Sequence, residues 1–284
     1  MKLALLGETI PRDPGAVTDR VAARVAELGF AGVGVHFGPE PAALAPQELR
    51  RARDVFAARN VEVVHSWGFG ACLVHPDPDG RLEATQLLRD ALLVARELGA
   101  SAVVCGAGSV AAEGGYAPHP LNHGPEAAER LVESLRAVVG TCEETGVSIG
   151  LEPHVLTVLD TPEHVAEVIA RVDSPWVACN LDPVNLLDGL PALYDSAGHL
   201  DRVFAALGSF ACSGHLKDAY VEHQFVLHIS ECPPGTGLFD LGGFIERFAR
   251  VVPDGWLFIE HLPDGLVDAA ARYVQGLIAV RTPA

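Results

Sequence analysis

Eight short, mostly apolar runs, each followed by a stretch with helical spacing, leave this chain few folds to adopt. The runs are KLALLG (2–7), GVGVHF (32–37), VEVVHS (61–66), AVVCGA (102–107), VSIGLE (147–152), WVACNLD (176–182), FACSGHL (210–216) and WLFIEHL (256–262). Most are continuous rather than alternating, which is how parallel strands covered by helices read. Helical spacing follows at about 16–29, 46–59, 80–98, 124–145, 161–171, 187–207, 240–251 and 264–280. Start and stop signals agree: RDALLVARELG halts on Gly99, and DTPEHVAEVIARV opens on Asp160 and Thr161, then Pro162 and Glu163. Eight such units in 284 residues, with no linker-like break, predict an α/β fold, a single (β/α)8 TIM barrel, as one domain over residues 1–284. A doubly wound open sheet would carry GxGxxG after its first strand, and GETIPRDPG does not fit that pattern.

A chain that is 49% hydrophobic has enough apolar surface for one large core. Its net charge of −17 argues against a nucleic-acid or anionic-membrane partner, because phosphates are bound by Lys and Arg. It leaves room for a bound cation. Six cysteines without a CxxC pair read as small buried thiols, which suits a reducing cytoplasm. The opening MKLALLGETIPRDPG is too short in its apolar part for a signal segment, and no 18-residue apolar span occurs. A soluble cytoplasmic protein is expected.

The ends of the last four strands carry Glu152, Asp182, His215 and Glu260. One glutamate at a strand end is an ordinary ion-pairing or capping group. Four such residues on consecutive neighbouring strands, about 4.8 Å apart, can converge on one point. The side-chain period of two puts Gly150 and His154 on the face of Glu152, and Lys217 but not Asp218 on the face of His215. It sends His261 toward the helices. Three carboxylates and an imidazole around one point repel and raise one another's pKa values unless a cation joins them. Three oxygens and one nitrogen suit Mn²⁺, Mg²⁺ or Co²⁺ better than a structural zinc, and Mn²⁺ is the expected ion, with Co²⁺ or Mg²⁺ as alternatives.

Other polar residues gather at the same end. His65 and Trp67 end the third strand, and Trp67 offers an apolar wall for the C–H face of a sugar. His36 ends the second strand, and His154 is placed to touch a substrate hydroxyl or orient Glu152. Two long loops, 107–124 and 217–239, follow strands four and seven on the C-terminal face, where barrel enzymes keep their sites. The first holds Tyr116, His119, Asn122 and His123; the second holds His223 and His228. His119 and His123 are candidate substrate contacts that would cover a metal. Lys217 is the one obvious cation at the site, so a non-phosphorylated substrate is expected.

The motifs GLEPH, NLDPVN, GHLKD and IEHL, with PPGTGLFDLGGFIERF before the seventh helix, resemble the xylose isomerase-like TIM barrel superfamily, the sugar phosphate isomerase/epimerase group, across essentially the whole chain. The resemblance implies that Glu152, Asp182, His215 and Glu260 hold the catalytic metal, and that Glu152 and Glu260 move the proton. A carbon next to a carbonyl would lose its proton to one glutamate, pass through a metal-stabilised enediolate, and regain a proton from the other. Asn185 stands where keto-sugar epimerases commonly carry a His, and Lys217 where they often carry an Arg; both count among the candidate substrate contacts. The expected activity is isomerisation or epimerisation of a sugar, keto-sugar or cyclitol. The alternative is elimination by the same proton abstraction, as in dehydratases of keto-inositols or dehydroshikimate and in enzymes cleaving 3-keto-glycosides or C-glycosides. Endonuclease IV-like phosphodiesterases share the fold but want a basic track that this acidic chain lacks. The resemblance also implies a homo-oligomer, a dimer or tetramer, with a partner subunit as a further option.

Overall fold

A computed structural model describes residues 1–38 and 40–281, so the last three positions of the expected domain lie outside it. The eight apolar runs become eight parallel strands: β1 (Lys2–Leu5), β2 (Gly32–Val35), β3 (Glu62–Trp67), β4 (Ala102–Cys105), β5 (Ser148–Leu151), β6 (Val177–Leu181), β7 (Ala211–Leu216) and β10 (Trp256–Ile259). They close into a barrel in the order β1–β10–β7–β6–β5–β4–β3–β2. This is the (β/α)8 architecture that the alternation predicts. Between β7 and β10, β8 (Asp218–Val221) and β9 (Ile229–Cys232) pair antiparallel as a hairpin beside the mouth.

The helices are α1 (Asp19–Glu27), α2 (Pro46–Ala57), α3 (Pro78–Leu98), α4 (Pro125–Thr145), α5 (Pro162–Val172), α6 (Leu190–Tyr194), α7 (Ser196–Leu207), α8 (Leu241–Val251) and α9 (Asp264–Arg281). Their ends follow from local chemistry. Asp77 accepts from Asp79 N at 3.0 Å to cap α3, Pro78 occupies its first turn, and Gly99 ends it at φ 71°. Thr161 accepts from His164 N at 3.2 Å to start α5. The helix expected over 187–207 is broken in two: Asp195 leaves helical geometry and accepts from Gly198 N at 3.1 Å, ending α6 and capping α7. None of the described helices is long and apolar enough to cross a membrane.

Two apolar shells hold the barrel. The large one lies between strands and helices and includes Phe56, Leu88, Leu131, Phe244 and Phe248. The small one fills the barrel's inside with Ala4, Leu6, Val64 and Phe258, backed by Trp67 and Trp256. Two irregularities in the ladder set which polar residues join this interior. β3 carries an extra residue against β2, so the Val33–Val63 pair is followed by Gly34–His65. β7 carries one against β6 at Cys212, so Cys179–Ala211 is followed by Asn180–Ser213. Such bulges re-aim the side chains that follow them.

Candidate metal centre

Glu152, Asp182 and Glu260 each stand one residue beyond a strand end, and His215 sits inside β7. Glu152 N extends the ladder by donating to Cys105 O at 3.0 Å. Asp182 follows the Leu181–Gly214 pair, which brings it level with His215. The turn Asp182-Pro183-Val184-Asn185 is closed by Asp182 Oδ1, which accepts from Asn185 N at 3.1 Å, while Oδ2 faces Lys217 in the centre. All four side chains are buried, and one ligand atom from each lies within 4.8 Å of the others.

His215 Nδ1 faces the carboxylates, 3.0 Å from Glu152 Oε1 and 2.9 Å from Glu260 Oε1. Lys217 Nζ, on the same face, lies 2.8 Å from both Asp182 Oδ2 and Glu260 Oε1. Asn185 knits the group together, accepting from Lys217 Nζ at 3.1 Å and donating through Nδ2 to Glu152 Oε1 at 3.3 Å. Yet Asp182 Oδ2 and both oxygens of Glu260 lack a partner in hydrogen-bond geometry, as does His215 Nε2. Buried carboxylate oxygens gathered at one point, with charged neighbours close by but no hydrogen bond satisfying them, are what a cation's ligands look like. The three-oxygen, one-nitrogen donor set fits a divalent metal.

Burial pushes the Glu152 carboxyl up from its ordinary value, more than His215 pulls it down. Burial also acts on Glu260, but there the charges of His215 and Lys217 outweigh it and hold the carboxyl well below the usual range. Burial acts on Asp182 too, but the charge of Lys217, with help from His215, outweighs it and lowers the carboxyl below its ordinary value. The ring of His215 and the amine of Lys217 resist burial and stay protonated well above their usual values, because carboxylates surround them. The two glutamates thus share one centre in two different electrostatic settings.

The remaining candidates are placed unequally. Trp67 stands over the centre, its ring 6.4 Å from that of His215. His154 lies 4.8 Å from the ring of Tyr116, and its Nδ1 accepts from Leu156 N. His65 sits deeper than a strand-end residue, because the β3 bulge turns it into the barrel. It stacks on Phe258 at 4.4 Å, and burial, aided by His215, lowers its pKa to about 3. His119 caps the short turn Pro120–His123, accepting from Leu121 N at 3.2 Å. His123 pairs with Asp160, which also holds His164 at 2.6 Å on the outer rim. Asn122 is buried and pins its loop, accepting from Val110 N and donating to Leu156 O.

His261 departs from the reading of the strand's period. It does not face the helices: a φ of 56° swings it to the mouth, with Nε2 3.5 Å from Glu260 Oε2 and Nδ1 3.3 Å from Glu231 Oε2 of the hairpin. A left-handed conformation in a bulky residue costs about 1–3 kcal/mol and collects at functional sites. Phe69, at φ 56°, shares this feature. Sequence spacing offered no sign of His261, Glu231 or Arg12 at the mouth; the glycines flanking Phe69 in WGFGA were the one local signal there.

A family model described as xylose isomerase-like TIM barrel matches residues 22–281. No curated protein sequence matches the chain. Among solved structures, a xylose isomerase-like TIM barrel protein from Mycobacterium smegmatis, in complex with magnesium, superposes with a TM-score of 0.70 at 18% identity, over 93% of this chain and 88% of that one. D-psicose 3-epimerase with D-tagatose from Clostridium cellulolyticum gives 0.73 at 16% identity, over 99% of both chains. A 3-keto-D-glucoside 4-epimerase from E. coli gives 0.71 at 16%, over 98% of this chain and 99% of that one. At these identities the likeness is one of fold.

Proposed function

This chain belongs to the xylose isomerase-like TIM barrel family, and we propose that it is a divalent-metal-dependent isomerase or epimerase of a sugar, keto-sugar or cyclitol. The observation that carries the reading is the buried group Glu152, Asp182, His215 and Glu260, with oxygens on Asp182 and Glu260 that no hydrogen bond satisfies. These four residues would hold the metal, Mn²⁺ by first choice with Co²⁺ or Mg²⁺ as substitutes. When bound, the ion supplies Lewis acidity to a carbonyl oxygen and so acidifies the neighbouring C–H.

The chain's own groups do the rest. Glu152 and Glu260, from strands on opposite sides of His215, are the carboxylates that take a proton from one face of the carbon and return one to the other. Asn185 keeps the Glu152 carboxylate oriented through Nδ2. Trp67 offers an apolar wall beside His215, excluding water from one side of the centre. The test is deuterium wash-in from D₂O over a panel of ketoses, inososes and 3-keto-glycosides with Mn²⁺ present. Incorporation at the carbon beside the carbonyl is expected; its absence across the panel with metal bound would sink the reading.

Lys217 supports a second reading, metal-dependent elimination, because its buried ammonium is an N–H donor within the centre; held protonated by the carboxylates around it, it would stabilise a departing oxygen by hydrogen bonding and charge without giving up its proton. His119 is engaged in capping and His123 with Asp160. Product mass separates the two: an eliminase releases water or an aglycone, and an epimerase conserves mass.

Lys217 also makes a prediction about the metal itself. Its ammonium lies against Asp182 Oδ2 and Glu260 Oε1, two oxygens that a metal would use, so the two cations compete. Lys217→Met is expected to tighten Mn²⁺ binding about tenfold, roughly 1.4 kcal/mol, in a calorimetric titration. Equal or weaker binding would show that the ammonium supports the ligands instead of opposing the ion.

A further inference from the structure

Two cavities open at the mouth beside the metal centre and share His36, Trp67 and Tyr116 as walls. The larger, about 680 Å³, runs along the ends of β1 and β2 and is bounded by His261, the neighbour of Glu260. The smaller, about 210 Å³, lies between the loops after β3 and β4, lined by Phe69, Ala71 and Cys105. The larger falls in the range of about 300–1,000 Å³ that takes a drug-sized ligand; the smaller, which holds Phe69, exceeds the roughly 150 Å³ apolar cavity that admits a benzene ring, so it has room for one ring.

The chemistry of the walls is graded. Charges sit at the rim, where Glu8 and Arg12 are exposed. The depth is aromatic: the His36 ring lies 6.2 Å from Trp67 and meets Phe69 edge-on at 6.4 Å. Glycines let the two loops approach. A Cβ on Gly68 would stand 2.5 Å from Cys105 Cβ, and one on Gly106 would stand 2.9 Å from the Tyr116 hydroxyl. The backbone is strained to build this recess. Four described non-glycine residues have positive φ. Asn60 and Asp173 lie just past the ends of α2 and α5, where such a turn is ordinary, whereas Phe69 and His261 both line the mouth cavities.

We propose that the mouth is a two-part binding site, with the sugar ring at the metal centre and an uncharged ring-shaped group, the aglycone of a glycoside, in the aromatic recess of Trp67, Phe69 and Tyr116. The substrate class is then glycosides rather than free monosaccharides. This rests on the reading of the centre as a sugar site, and it adds what lies beyond the sugar. Flat apolar groups gain from burial against such rings and from offset stacking. A charged group would lose its water in the recess with no counter-charge to meet it.

The test needs no reaction. Phenyl and methyl glucosides of the same anomer are titrated calorimetrically into the full chain with Mn²⁺. The phenyl glucoside is expected to bind at least about tenfold more tightly. Phe69→Gly removes the ring at a position whose φ suits glycine, and Ala71→Phe fills the recess from another side; each is expected to cut the phenyl advantage below about threefold. Equal affinity for the two glucosides, binding of neither, or an advantage that survives both substitutions would overturn the proposal. Deuterium exchange on methyl 3-keto-glucoside, a glycoside with no ring to place in the recess, is independent of the recess. Exchange without a phenyl advantage removes only the subsite, and a phenyl advantage without exchange removes only the reaction.

Discussion

Glu152→Gln is expected to lose solvent deuterium exchange by about a thousandfold while melting within a few degrees of the parent protein. Gln has the shape of Glu and keeps a carbonyl oxygen for Asn185 Nδ2, so the local hydrogen bond survives. What disappears is the ability to take a proton and one of the three negative charges facing His215 and Lys217. Mn²⁺ affinity is expected to fall as well, so exchange is to be measured at saturating metal with metal content checked separately. Because burial already favours the neutral form of this side chain, removing its charge relieves strain on the fold instead of adding to it. Exchange that persists at saturating Mn²⁺ would remove Glu152 from proton transfer and leave it as a ligand only.

The centre was legible in the sequence for a physical reason. Parallel strands buried on both faces must be apolar throughout, so a Glu, Asp or His at their ends stands out, and a period of two decides which neighbours share its direction. The same rule put Lys217 at the site and Asp218 on the other side, and the structure places them so. It fails where the backbone leaves the period. The bulge in β3 draws His65 down onto Phe258, and the left-handed φ of His261 turns it to the mouth. Neither irregularity has a signature in residue type alone. The hairpin of β8 and β9 is not legible in the sequence because its strands, DAYV and ISEC, are four residues each and mix polar with apolar residues, so neither stands out from the loop around it. The segment YAPHPLNH divides: His119 caps a turn and Asn122 pins the loop, while Tyr116 reaches the mouth, and residue type alone does not tell these apart.

Asp218 is the residue outside the centre whose loss is expected to cost most. Its side chain is buried and acts as an acceptor for four backbone amides: Ala219 N at 2.8 Å, Gly235 N at 3.1 Å, Gly237 N at 2.9 Å and Phe239 N at 2.9 Å. That single carboxylate folds the segment from the hairpin back to α8. Gly237 is fitted so closely that a Cβ there would come within 2.4 Å of Asp218 Oδ1. Asp218→Ala removes every acceptor at once and leaves the donors buried or forces the turn open to water. At about 1–3 kcal/mol for each unsatisfied group, partly recovered by opening, a net loss of about 3–5 kcal/mol follows. That corresponds to a fall in Tm of about 10 °C for a chain of this size. Asp218→Asn keeps one carbonyl oxygen and is expected to lose about half as much. The damage has a direction: Lys217 precedes Asp218, and the hairpin's Glu231 meets both Lys217 and His261, so loosening the turn loosens one wall of the candidate metal centre. Hydrogen exchange should show the amides of 229–239 losing protection in Asp218→Ala while those of β4 and β5 keep theirs. A Tm within about 2 °C of the parent, with protection unchanged, would mean that the turn is held by its own backbone and that the carboxylate merely accompanies it.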